Sequence, residues 1–272
     1  MNHTFHFSRI KLLFIRYFTE HWRRELVAFS AIFIVLALLP RLAVSSIPAL
    51  PFILFCMILL FRGMHFSAHI FTEIHYTSSG MHYLHIPASG AEKFFVNGFL
   101  SLILFPLLCF ALFYGATLFG NLLEPIMPSM LHYKVIDMAT LIPSTNVGML
   151  SVTSDPFGSS SSTLWAVISS YIFLQSIFFL GSLFFKKHPT TKTIVTVMVF
   201  SLALGIVQMV LAKVIWSGVN IESLSMVKEK LILLGTKTFG SRTVMMVDQV
   251  CHWALVLFFW VVSYLKLKEK EI

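Results

Sequence analysis

His65 and His69 stand one helical turn apart, and His75, His82 and His85 follow in the same stretch. Imidazoles at that spacing share a helix face and can hold one metal ion between them. Membrane di-iron oxygenases use this chemistry, with His-x-x-x-His and His-x-x-His-His boxes. The first spacing is present here, but His82-x-x-His85 runs into Ile86, and the histidines at 3, 6, 21, 132, 188 and 252 form no second box. No His-Glu-x-x-His occurs, so a zinc protease is not supported. A metal set of His65, His69, His82 and His85 is the alternative reading. The plainer one is a row of histidines at a membrane–water edge, with no metal or cofactor.

Other chemistry-bearing residues are sparse. Gly235-Thr-Lys-Thr-Phe-Gly240 is the nearest match to a phosphate loop, and it lacks the closing Lys-Ser/Thr. ATP hydrolysis is therefore expected on a partner, and the chain reads as no enzyme. Cys56, Cys109 and Cys251 all lie in apolar runs at no zinc spacing, which makes them small packing residues. Lys213 and Asp248 fall at similar depth in two apolar runs. Ionisable groups there are costly enough to count as candidates, here as an intramembrane pair. Gln175 and Gln208 lie nearer the middle of their runs, where amides hydrogen-bond between helices, and Ser201 with Gly205 offers a close-packing step.

The elements that carry these residues follow from composition. Hydrophobic residues make up 57% of the 272, charged ones only 12%, and 28 are Phe. A soluble domain needs about a quarter of its residues charged to cover its surface with water. Mean hydropathy is +0.83. The fold class is thus all-α: a polytopic membrane protein with six spans, near 26–46, 48–69, 94–119, 163–185, 194–216 and 244–265. Pro106 predicts a kink in the third. The basic stretch before the first run is too long for the start of a cleaved signal peptide, so that run reads as a retained span.

Charge placement orients the chain. With the N-terminus inside, thirteen Lys and Arg fall on the cytoplasmic side and seven on the other, which places both ends in the cytoplasm. Arg62, within the second run, must then snorkel. The net charge of +8 sits beside apolar runs rather than along an aromatic-interleaved stripe, so the bilayer is the partner and nucleic acid is not. Residues 1–25 form a cytoplasmic segment in which Ile10, Phe14, Tyr17 and Phe18 share one helix stripe and Arg9, Arg16, Glu20 and Arg23 another. That pattern predicts a helix in the headgroup plane, anchored by Trp22, ahead of the membrane domain at 26–272. Two outer loops, 120–162 and 217–243, complete the layout, the second holding a short amphipathic helix after Leu224.

The strip between the second and third spans runs Tyr83-Leu-His-Ile-Pro-Ala-Ser-Gly-Ala-Glu-Lys93. Ser89 followed three residues on by Glu92 is a capping box at a helix start, and Pro87 keeps the residue before it extended. The strip resembles the Leu-Pro-Ala-Ser-x-x-Glu-Lys signature of a group of bacterial ABC type-2 permeases, the membrane subunits of ATP-binding-cassette exporters. Ile86 replaces the usual Leu, while Pro87, Ala88, Ser89, Glu92 and Lys93 match. The basic entry helix and the six-span layout extend the resemblance, whereas the loop at 120–162 is longer than the family's. What it implies is a permease subunit of the bacterial inner membrane working by alternating access, with export favoured. Its partners would be a cytoplasmic ATP-binding-cassette ATPase and a second permease copy or paralogue. Residues 70–93 would couple to the ATPase through Pro87, Ser89, Glu92 and Lys93. A membrane scaffold without transport is a third reading.

Overall fold

A computed structural model of the chain describes residues 7–42, 50–75, 88–123, 163–215 and 241–271. All regular structure among them is helical, as a lipid-embedded chain requires: backbone groups with no water to bond must be satisfied within their own segment. Helix α1 is Phe7–Leu42 and α2 is Leu50–His69, followed by a 3-10 turn, Thr72–His75. Helix α3 (Gly90–Phe99) passes through a π-helical turn, Leu100–Leu104, into α4 (Phe105–Leu122). Helices α5 (Thr163–Phe184), α6 (Pro189–Ile215) and α7 (Ser241–Glu271) complete the order. The chain is an all-α polytopic membrane protein.

Five stretches are long and apolar enough to cross a membrane among the described residues: Leu50–His75, Gly90–Leu122, Val167–Phe184, Pro189–Leu211 and Gln249–Lys270. The stretch expected as the first span forms the second half of α1. Its expected separation from an interfacial helix is not seen, because no Gly or Pro stands between Phe7 and Leu39 to break the backbone. Most of the two expected outer loops, and the short helix after Leu224, fall outside the described residues.

The main core joins the second half of α1 to α2, α4 and α5. Leu36, Phe52, Phe55, Phe66, Phe113 and Tyr171 are buried there, with Cys56 and Cys109 as small fillers. Phe55 and Phe113 stack at 4.5 Å between centroids, and Phe66 and Phe105 at 4.9 Å. Helix α2 approaches α5 closely at Gly63, where a Cβ would stand 2.5 Å from the Tyr171 ring. Gly181 makes a similar approach to Thr193, where α5 turns into α6. That corner closes on His188, at φ 51°, a left-handed conformation costly for a side-chain-bearing residue and set just before Pro189. Beyond Thr193 the described residues of α6 include no buried one; Ser201 and Gln208 are exposed on it.

A second cluster ties the start of α1 to α3. Ile10 and Leu13 pack on Val96 and Leu100, with Phe14 and Tyr17 alongside. A third joins Phe71, Phe179, Leu183 and Leu267. Together these bring the start of α1, the ends of α2, α5 and α7, and the start of α3 to one end of the bundle. Arg16 of α1 reaches Glu73, while Lys270 of α7 lies 3.3 Å from His75, so the outermost described helices share that end. It is called the basic end below.

Pro106 has a consequence beyond a kink. Through the π-turn, the Phe105 amide donates to Leu100 O, one residue further back than in an α-helix. The next donor in that register would serve Ser101 O, but it is Pro106 and has no N–H. The Ser101 carbonyl therefore takes donors from α5: Tyr171 Oη at 2.6 Å and Gln175 Nε2 at 3.1 Å. Ser101 Oγ lies 3.1 Å from Ser67 Oγ of α2 and also receives Gln175 Nε2. The expected inter-helix bond of Gln175 is thus made, and its partner is a freed backbone carbonyl.

Candidate functional site

The richest group of charged side chains is a cleft at the basic end, between α1, α2 and α3. Arg62 sits on α2 inside an apolar run, where a lone guanidinium is costly. Instead of snorkelling it donates to Glu25 of α1 at 2.5 Å, and the two side chains are only 18% and 11% exposed. Arg62 Nη1 lies 3.1 Å from His65 Nδ1. An Arg nitrogen can only donate, so His65 accepts at Nδ1 and carries its proton on Nε2. One turn on, the His69 ring lies beside that of His65, 4.5 Å between centroids and tilted by 35°.

The opposite wall comes from α1. Arg16 Nε donates to Glu20 at 2.7 Å, and its Nη2 reaches Glu73 at 3.4 Å. His21 Nε2 lies 3.3 Å from the other oxygen of Glu73. Tyr17 stacks on His21 at 4.9 Å. Burial, and then the negative charge of Glu25, push the Tyr17 phenol above its ordinary range, so it stays neutral. Glu20, His21 and Glu73 each offer one ligand atom, all within 4.8 Å of one another, the set among the described residues nearest to a metal site. Arg16 already occupies the space between the two carboxylates.

Sequence reasoning missed Glu25, Glu73, His21 and the cleft role of Arg16. The available signal was a carboxylate at the mouth of one apolar run and an arginine within the next, at matching depth in antiparallel neighbours.

The capping box is present as read. Ser89 Oγ accepts from the Glu92 amide at 3.2 Å, and Glu92 Oε2 accepts from the Ser89 amide at 2.8 Å. Yet Glu92 and Lys93 are 0% and 2% exposed, so both side chains turn into the bundle rather than onto an outer surface. They hold the start of α3 in place. Pro87, His82 and His85 lie outside the described residues, so the four-histidine set is represented by His65 and His69 alone. Lys213 and Asp248 stand on α6 and α7, and their side chains, with the pairing expected of them, also fall outside the described residues.

Beside the cleft, the ends of α2, α5 and α7 are clasped by neutral and cationic donors. His75 Nε2 donates to Ser182 O at 2.9 Å, and Lys270 Nζ donates to Leu183 O at 2.8 Å. Such contacts satisfy carbonyls left without partners at the C-terminus of α5. No family model, curated protein or solved structure matches this chain.

Proposed function

We propose that the chain is the permease subunit of an ATP-binding-cassette transporter, moving its substrate by alternating access while a separate cytoplasmic ATPase supplies the energy. The observation that carries this reading is the capped start of α3, on which α1 and α7 converge. The Ser89–Glu92 box fixes it locally; Val96 and Leu100 seat it against Ile10 and Leu13 of α1; and Phe94 meets Trp260 and Tyr264 of α7 edge-on. Displacement of the segment entering α3 would therefore be felt by both outermost described helices. Resemblance of the Pro87–Lys93 strip to the permease signature and the lack of a phosphate loop support the same reading. With the basic end taken as cytoplasmic, the positive-inside rule holds for the bacterial inner membrane, and the resemblance to the permease group favours export. A second copy or paralogue would complete the pathway.

Because Glu92 and Lys93 are buried, we assign docking to the rest of residues 70–93 rather than to those two charges. Affinity capture of the detergent-solubilised chain, with mass spectrometry and an ATPase assay, tests this. A phosphate-loop ATPase should be recovered with the native chain and lost when residues 76–86 are replaced by a Gly-Ser linker of equal length. Recovery of the chain without an ATPase would overturn the reading.

The adjacent pair His65 and His69, with Glu20, His21 and Glu73 across the cleft, favours a second reading, a membrane metalloenzyme. It ranks below the first because Arg16 and Arg62 already stand where the metal's charge would be needed. Stoichiometric iron in the purified chain would reverse that order.

A further inference from the structure

Two hollows adjoin at the basic end, and their linings differ in kind. One is the charged cleft, with an inner volume of about 50 Å³. The other lies along α1 beside the π-turn and α4, lined by Phe18, Trp22, Phe29, Leu104, Phe105 and Leu108. Tyr17, His21, Glu25 and Phe66 line both. Phe18, Trp22 and Leu108 are 46%, 50% and 36% exposed, so the apolar groove opens to the outside of the bundle along its length. In a membrane-spanning chain that outside is hydrocarbon, and the cleft stands at the level of the headgroups.

Charge in the cleft is unbalanced. Arg16, Arg24, Arg62 and Lys93 line it, against Glu20, Glu25 and Glu73, which leaves one positive charge in excess with the histidines neutral. Arg62 Nε is buried and has no hydrogen-bond partner among the described residues.

From the polar cleft and the apolar groove that continues it, we infer that the chain holds one phospholipid between α1 and the α3–α4 span. A singly negative phosphodiester would sit among the arginines, with an acyl chain along Phe29, Leu104 and Leu108. A guanidinium recognises phosphate oxygens through paired N–H donors, which suits Arg24, exposed at the rim of the cleft, to the head. The acyl chain gains no hydrophobic free energy by leaving bulk lipid, so affinity and selectivity reside in the head while the groove sets the pose. Free phosphate shares the head chemistry, but the adjoining groove assigns the site to lipid. The inference needs only the membrane-spanning fold and stands whatever drives the chain.

Native mass spectrometry of the delipidated full chain in detergent tests it. The probes are phosphatidylglycerol, phosphatidylcholine and glycerol 3-phosphate. One phosphatidylglycerol per chain is expected, bound about fivefold more tightly than phosphatidylcholine, the worth of one cation near an anionic head. Arg24→Gln, at an exposed position that does not hold the fold, should remove most of that preference. Leu108→Trp, which fills the groove, should weaken phosphatidylglycerol binding while circular dichroism shows unchanged helicity. Equal binding of phosphatidylcholine would overturn the charge recognition. Displacement of the lipid by equimolar glycerol 3-phosphate, or full binding to Leu108→Trp, would overturn the lipid assignment.

Discussion

The charged cleft and the hydrogen-bond knot around Ser101 both place polar atoms inside a chain that is 57% hydrophobic, and they do so by opposite means. In the cleft, full charges from α1 and α2 neutralise one another: Arg62 with Glu25, Arg16 with Glu20 and Glu73. The knot uses only neutral groups, a hydroxyl and an amide from α5 on one backbone carbonyl. Depth explains the choice. Near the headgroups, charges keep partial access to water and can exchange partners. Deeper in the bundle desolvating a charge costs several kcal/mol, so a carbonyl freed by Pro106 is the more economical acceptor. The cleft balances charges that stay partly exposed, and the knot fixes one register between the α3–α4 span and α5.

Breaking the pair in the cleft should have the largest effect. Glu25→Gln leaves the Arg62 guanidinium buried without its counter-charge, which costs about 3–5 kcal/mol. In detergent this should appear as a marked fall in the thermal unfolding midpoint. The double variant Glu25→Leu with Arg62→Met should recover most of the loss, because no lone charge remains. If the two single losses simply added, the ion pair would not be the source.

The knot should respond more gently. Tyr171→Phe and Gln175→Leu should each cost about 0.6–1.7 kcal/mol, the range for hydrogen bonds between membrane helices. Their effects should be non-additive, since both groups donate to Ser101 O and either alone leaves it satisfied. Strict additivity in a double-mutant cycle would mean the shared carbonyl is not what couples them. A contrasting case is Gly63→Ala, whose methyl would push the Tyr171 ring off its place and so loosen the knot from α2.

Smaller changes sharpen the contrast. Ser89→Ala removes one half of the capping box and should cost about 1 kcal/mol, with faster amide exchange confined to the first turn of α3. Arg24→Gln should be nearly silent in stability. Its side chain is 64% exposed and its contact with Glu25 is a weak surface pair, expected to move the unfolding free energy by less than about 0.5 kcal/mol. A large loss there would mean that the rim of the cleft bears weight assigned here to its floor.

How legible these features are in the sequence depends on how local they are. Apolar run length is enough for the helical membrane fold, and the spacing of Ser89 and Glu92 is enough for the cap. Gln175 is readable as a bonding residue because an amide in hydrocarbon must find a partner. Which partner is not readable: Ser101 O becomes available only once Pro106 and the π-turn are taken together, and α5 must pass beside it. Glu25 and Arg62 escape for a related reason. Each looks like the edge of its own run, and only antiparallel packing of α1 on α2 brings them to one depth. The inward turn of Glu92 and Lys93 is a tertiary outcome of the same kind, since a capping box fixes backbone direction and says nothing about which face meets the bundle.

The unbroken course of α1 has a mechanical consequence. Its 36 residues make a rod of about 54 Å, well beyond the roughly 30 Å thickness of a hydrocarbon core. Hydrogen-bonded without a hinge over most of that length, it behaves as a lever. A tilt of about 10° about its midpoint would carry its two ends roughly 5 Å in opposite directions. The arm on one side ends beside the cleft and the start of α3; the other carries Leu36 and Ala37 in the main core. A push delivered at the basic end would thus emerge, reversed in direction, at the far face of the bundle.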